Sequence, residues 1–284
     1  MHECVLYNVF GDNQVQCTSC NHRCIIDEGK RGICGVRQNV DGKLYLLVYG
    51  LVVSENVDPI EKKPLYHFLP NTKTYSIGTV GCNFKCSFCQ NYTISQMREI
   101  VGREVTPEEV VERAIKTGCK SISYTYNEPT IFAEFVKDTA VLAKKKGLKN
   151  ILVTNGYMTE ECLEFLGSEI DAMNVDLKSS DEKFYNKICG AQLKPVLETI
   201  KRAHEKGIHI EITTLVVPGE NDSIRNFENI AEFIAEVSKD IPWHISRFFP
   251  MHKMRDKHPT SLEKLEKAEK IGKKYLKYVY LGNV

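Results

Sequence analysis

From about Thr74 onward the chain alternates β-rich runs with helical patterns at intervals of roughly thirty residues, and few folds accept that rhythm. Strands are predicted near Tyr75 to Val80, Ser121 to Tyr126, Asn150 to Thr154, Ala172 to Leu177, Ile208 to Val217, Trp243 to Phe248 and Tyr278 to Leu281. Between them, Thr106-Pro107-Glu108-Glu109 opens a helix with an N-cap, Pro in the first turn and early acids, and Lys116-Thr117-Gly118 closes it. Further helices are predicted over Pro129 to Lys146, Lys194 to Lys206, Asn226 to Ser238 and Ser261 to Lys274. Six or seven such repeats imply a parallel α/β fold, either a barrel or a doubly wound sheet. In both, ligands bind at the carboxyl ends of the strands, so polar motifs just after strands are the candidates.

Residues 1 to about 70 read differently: a Cys-rich loop, then a small β-structure over Gly42 to Ser54, then Asp58-Pro59-Ile60-Glu61-Lys62-Lys63-Pro64-Leu65-Tyr66, predicted as a loop draped on the main domain. The expected division is an appendage and linker at 1–70 and a barrel domain at 71–284. A composition of 42% hydrophobic and 26% charged residues is that of a soluble globular protein. A formal net charge of +1 leaves no broad basic field for nucleic acid or anionic membrane. With neither a basic leader nor an apolar run near the roughly 18 residues a membrane span needs, the expected location is the cytoplasm.

The chain has 11 Cys, and seven fall in two groups: Cys17, Cys20, Cys24, Cys34, and Cys82, Cys86, Cys89. In a cytosolic chain, C-x2-C and C-x3-C are metal-ligand spacings. The second group, Gly81-Cys82-Asn83-Phe84-Lys85-Cys86-Ser87-Phe88-Cys89, follows the first predicted barrel strand. Three thiolates on a four-iron cube leave one iron open, and open metal positions are where chemistry occurs. Zinc held by these three Cys and a His such as His67 is the alternative. The first group, C-x2-C-x3-C-x9-C among Gly29, Gly32 and Gly35, supplies four thiolates to a closed site, for zinc or a second Fe-S cluster.

The spacing C-x3-C-x2-C with Phe88 before the last Cys resembles the radical S-adenosylmethionine (SAM) superfamily. The resemblance implies a partial TIM-type (β/α)6 barrel, an oxygen-sensitive 4Fe-4S cluster on Cys82, Cys86 and Cys89, and SAM chelated at the open iron. It further implies reductive cleavage of SAM to a 5'-deoxyadenosyl radical that abstracts hydrogen from substrate, with a low-potential ferredoxin or flavodoxin as electron donor. Asn127-Glu128-Pro129 occupies the place of a Gly-Gly-Glu-Pro segment that binds the SAM amino group. Val153-Thr154-Asn155-Gly156 resembles the Thr-Asn-Gly of glycyl-radical activating enzymes, with Val153 where some carry an Asp for a monovalent cation. Asp176-Leu177-Lys178 matches their Asp-x-Lys, and strand alternation puts Asp176 and Lys178 on one face; an ordinary ion pair is the plainer reading. Leu215 to Asp222 resembles the segment packed near adenosine. Phe88, Asn127, Glu128, Thr154, Asn155, Asp176 and Lys178 are thus the expected cofactor contacts.

His244 and Arg247, on the strand that completes the mouth, are candidates to touch substrate, and Cys119, Cys162 and Cys189 are expected as reduced thiols. The Cys-rich head, Asp-Pro-Ile-Glu-Lys-Lys-Pro-Leu-Tyr-His-Phe, Tyr-Thr-Tyr-Asn-Glu-Pro-Thr and Ser-Arg-Phe-Phe-Pro together resemble the AmmeMemoRadiSam branch of activase-like proteins. That label leaves the hydrogen source open, a protein glycine or a small molecule. A metal-binding interaction module is the reading from another class, and it would lack SAM cleavage. A zinc-dependent nucleic-acid binder lacks its basic stripe.

Overall fold

The computed structural model of the chain describes residues 1–11 and 13–284. All seven predicted strands are present: β2 Lys73–Gly78, β3 Ser121–Tyr124, β4 Lys149–Thr154, β5 Ala172–Asp176, β6 His209–Val216, β7 Trp243–Arg247 and β8 Val279–Gly282, with an eighth, β1 Ser54–Pro59, ahead of them. They form one sheet in chain order from β8 to β1. β2 to β8 run parallel, and β1 lies antiparallel on β2. Because every crossover steps to the next position in the same direction, right-handed connections place the helices on one face. That is the winding of a barrel and not of a doubly wound sheet, whose strand order reverses.

The predicted helices fill the crossovers at Pro107–Lys116, Ala133–Lys145, Lys194–Glu205, Ile224–Val237 and Leu262–Gly272. Thr106 caps the first in a complete capping box with Glu109, and Val110, Val111 and Ala114 are its buried face. A seven-residue helix, Glu160–Leu166, was not predicted; Thr159 caps it by accepting from the Cys162 N–H. Two turns are too few for a periodic apolar stripe to stand out.

β1 corrects the reading of Asp58 and Pro59 as loop. Its sequence, Ser-Glu-Asn-Val-Asp-Pro, carries no apolar alternation, and an edge strand needs little of it. The rest of the linker lies across the amino-terminal parts of the strands. The Tyr66 and His67 N–H groups donate to the buried Glu211 carboxylate on β6 at 3.0 and 2.8 Å. Asn174 on β5 donates to the Pro64 carbonyl at 2.8 Å, and Ile60 and Leu65 pack on Ile151 and Ala172. The linker therefore floors the sheet.

The N-terminal segment forms small antiparallel sheets, among them Tyr7–Phe10 with Gln14–Cys17 and Arg37–Val40 with Lys43–Leu46. Its apolar residues share one core with the main sheet. It is tied to the loops and helix that follow the strands by polar bonds: the Ser19 hydroxyl donates to the Thr130 carbonyl at 2.6 Å, Asn21 to the Met158 carbonyl at 2.7 Å, and the buried Arg37 pairs bidentately with Glu134 at 2.9 and 2.5 Å. Among the described residues no helix is long and apolar enough to cross a membrane.

Candidate active site

At the carboxyl ends of β2 to β6, a cavity of about 430 Å³ is lined by Cys82, Cys86, Cys89 and Phe88, by Asn127 and Asn155, and by Asp176 and Lys178. Eight of the predicted residues thus meet in one space, contributed by four different strand ends, as parallel folds arrange their ligand sites. Lys63 and Pro64 of the linker, Asn174 and Thr213 line it as well.

The thiol loop turns on Gly81, whose φ of +88° favours glycine, and a Cβ there would stand 2.7 Å from the Cys34 carbonyl oxygen. The N-terminal segment thus backs directly onto this loop. On its other side the Lys85 and Ser87 N–H groups donate to the Cys189 and Ile188 carbonyls at 2.8 and 3.1 Å, residues of a short π-helical stretch, Tyr185–Cys189. The Phe84 N–H donates to Cys82 Sγ at 3.4 Å, and the Ser95 hydroxyl lies 3.2 Å from Cys89 Sγ. Such donors stabilise a thiolate bound to metal. In the metal-free chain the thiols are held protonated: burial pushes Cys82 and Cys89 up, and a hydrogen bond with Cys189, then burial, pushes Cys86 up. Iron loading would release these protons.

Among the described residues no three His, Cys, Asp or Glu side chains are placed to hold a single metal ion. A cubane asks for less: one thiolate per iron, spread round a volume, which three cysteines bordering one cavity provide. The zinc alternative with His67 fails on position, since His67 Nε2 lies 2.7 Å from the Tyr280 hydroxyl among the residues of the floor. Cys17, Cys20, Cys24 and Cys34 all border a second pocket, but its free volume is only about 10 Å³. That space is too small for a cubane, whereas a single ion ligated directly by thiolates needs no water-sized room.

Asn127 lines the cavity while bracing the loop, donating to the Thr79 hydroxyl at 2.9 Å and the Gly81 carbonyl at 3.0 Å. Glu128 and Thr154 lie behind the wall. The Glu128 carboxylate, fully buried, accepts from the Thr130 N–H at 3.0 Å, the Thr130 and Thr154 hydroxyls at 2.5 and 2.7 Å, and the Asn155 N–H at 2.7 Å. Three of these donors fall on one oxygen and one on the other, so the carboxylate joins the ends of β3 and β4 and stands outside the cavity lining. Burial raises its pKa and the four donors oppose the rise. Asn155, released by that bracing into the cavity, donates to Asn83 Oδ1 at 2.7 Å.

Lys178 pairs with Asp176 at 3.0 Å, and its ammonium sits 5.6 Å from the Phe88 ring centre. The pair is an ordinary ion pair by geometry, yet both partners face the cavity beside the thiols. Asn221, in the Pro-Gly turn after β6, holds this corner by donating to the Lys178 carbonyl at 2.6 Å. His244 and Arg247 do not line the cavity. His244 is buried 2.6 Å from Glu211 at the floor, and Arg247 donates to the Thr260 carbonyl at 2.8 Å; Ser246 between them faces the cavity instead.

Of the residues in and around the site that carried no assignment from sequence, Asn83 and Tyr126 are the most informative. Asn83 has a buried Nδ2 with no partner. Tyr126 holds a left-handed φ of +71°, donates to Asp58 at 2.8 Å, and takes the Lys63 ammonium 4.6 Å from its ring centre. Backbone strain in a non-glycine residue marks a place the surroundings over-determine, and no sequence pattern announces it.

The radical SAM superfamily model matches residues 76–234. An uncharacterised protein of Methanocaldococcus jannaschii is 49% identical over the whole chain and 86% of its own length. The pyruvate formate-lyase-activating enzyme of Clostridium pasteurianum is 27% identical over 69% of this chain and 88% of its own. Among solved structures, a radical SAM methyltransferase from Sphaerobacter thermophilus superposes with a TM-score of 0.60 at 18% identity, covering 75% of this chain and 67% of that one; it shares the fold. With more than half of the chain matched by the family model and the thiol loop set at the strand ends, the chain belongs to the radical SAM superfamily.

Proposed function

We propose that Cys82, Cys86 and Cys89 hold a 4Fe-4S cluster with one iron free for SAM, and that the chain is an enzyme generating a hydrogen-abstracting radical. The observation that carries this is the meeting of the three thiols with Asn155, Asp176 and Lys178 in one cavity. Bound there, the cluster and SAM supply the chemistry: a one-electron reduction that breaks the C5'–S bond and yields the 5'-deoxyadenosyl radical. The chain's own residues position and shield. Lys178 takes the SAM carboxylate, Asn155 offers its remaining amide hydrogen to the polar end, Asn127 braces the thiol loop beside it, Phe88 covers the loop, and Thr213 and Leu215 flank the adenosine side. The buried walls keep water from the radical.

Relatives named as activating enzymes favour a protein glycine as hydrogen source. The closed floor, with Asn174 Oδ1 buried and without a partner, favours a small molecule bearing a hydrogen-bond donor. No step rests on the four N-terminal cysteines; a second metal there remains a separate proposal, checked by metal analysis of Cys24→Ala against wild type. The test of the main reading is 5'-deoxyadenosine formation from SAM under dithionite. Wild type forms it, and Cys86→Ala forms none while its unfolding midpoint stays near that of the metal-free wild type. Retained cleavage by Cys86→Ala sinks the assignment.

A further inference from the structure

The reaction proposed above needs one electron per cleavage, delivered to a loop whose outer edge is Cys89, the least buried of the three thiols, followed by exposed Gln90 and Asn91. Resting on that reading, we propose that the basic face beside this loop is the docking surface for an acidic one-electron carrier protein. The chain as a whole is nearly neutral, yet Met251-His252-Lys253-Met254-Arg255-Asp256-Lys257-His258 carries three cations and two histidines against one acid; Lys257 pairs with Glu220 at 2.9 Å, which leaves Lys253 and Arg255 as its free cations.

This segment is fastened to the thiol loop. The Lys253 N–H donates to the Ser87 carbonyl at 3.0 Å. Arg255 donates to the Tyr92 hydroxyl at 2.8 Å and lies over its ring, while His252 stacks on the same ring with centres 4.7 Å apart. Lys85 reaches the Cys82 carbonyl at 3.2 Å, and the positive field of Arg98 bears on it. Lys253, Arg255 and Arg98 are exposed, and among the described residues none of them, nor Lys85, has an acid within ion-pair distance. Some surface cations of this chain are paired, as Arg23 is with Glu161 and Lys149 with Asp171; what marks this face is that several unpaired ones gather beside the thiol loop. Glu99 and Asp256 are the acids in the two segments, too few to cancel the patch. Like charges gathered without partners at the edge of a redox loop fit an acidic partner, which they attract over several ångströms and orient. Transfer moves one electron from the carrier's reduced centre to the cluster; the carrier is oxidised by one electron, the cluster reduced by one, and no bond or proton changes place.

The test mixes the reconstituted full chain with an acidic flavodoxin in its hydroquinone form, following cluster bleaching by anaerobic stopped flow, and measures the Kd of oxidised flavodoxin by calorimetry. Lys253→Glu/Arg255→Glu is expected to slow flavodoxin-driven reduction and weaken binding by about tenfold or more at low salt, with dithionite-driven bleaching unchanged. The difference should shrink as salt rises and the Debye length falls from about 8 Å toward 3 Å. Lys253→Glu alone serves if Arg255 proves necessary for folding. A control pair, Lys239→Glu/Lys274→Glu, near the amino-terminal ends of β7 and β8, should behave as wild type. Unchanged flavodoxin rate and Kd, an equal slowing with dithionite, or an equal effect of the control pair each overturns the proposal. Absence of any cluster in wild type would instead bring down the functional reading itself, before the docking question arises.

Discussion

Single residues here divide into those that face the cavity and those that hold the facing ones still. Glu128 is of the second kind, and four donors converge on its two oxygens. Glu128→Gln replaces one acceptor oxygen by an NH2 that meets donors, so unfolding free energy should fall by about 1–3 kcal/mol. SAM affinity should weaken with it, because Asn155 loses its anchor; denaturant unfolding and equilibrium SAM binding read the two effects. Unchanged values in both would show that the carboxylate braces nothing. At this scale the placement of the thiols, Phe88, Asn127, Asn155, Asp176 and Lys178 around one cavity was legible, since each sits in a short motif behind a strand, and their roles are proposals. Glu128 and Thr154 were found as positions but not as roles: a sequence tells that a carboxylate follows a strand, not which way it points. His244 misled for the same reason, its buried partner Glu211 lying 33 residues away in the chain.

Among the elements, the linker over residues 60–68 has the largest consequence. Glu211 accepts from two of its N–H groups and from His209 and His244 at 3.1 and 2.6 Å. These donors hold the Glu211 pKa down at about 2 despite burial. A carboxylate with a depressed folded pKa contributes stability that is present above its unfolded value of about 4.3 and is lost as pH falls toward 2. Glu211→Gln should therefore be destabilised by a few kcal/mol at pH 6 to 7, and the gap to wild type should narrow between about pH 4.5 and 2 in urea titrations. A gap that is flat with pH would mean that the carboxylate charge does not hold the floor. Repetition made the parallel strands and long helices legible. The polar edge strand Ser54–Pro59 and the seven-residue helix Glu160–Leu166 were not, because the strand carries no apolar period and the helix is too short for its apolar residues to stand out as one.

Across the whole molecule, the N-terminal segment and the sheet share one core, and the Cys34 carbonyl presses on Gly81 behind the thiol loop. The division at about residue 70 into an appendage with linker and a barrel domain stands as a proposal, and Arg37 tests how far the two parts depend on each other. Arg37 and Glu134 are both almost fully buried, so Arg37→Met, which leaves the carboxylate without its partner, should cost about 3–5 kcal/mol and melt the chain in one transition. A small loss, or a separate early transition of the N-terminal part, would mean that the segment is an independent unit.

The central claim is that the three thiols hold a cluster with an iron open to SAM. It is met most directly by anaerobic reconstitution with iron and sulfide, followed by EPR of the dithionite-reduced protein with and without SAM. The account predicts a reduced 4Fe-4S signal whose g-values shift when SAM is added. No cluster, or a cluster signal indifferent to SAM, would contradict it.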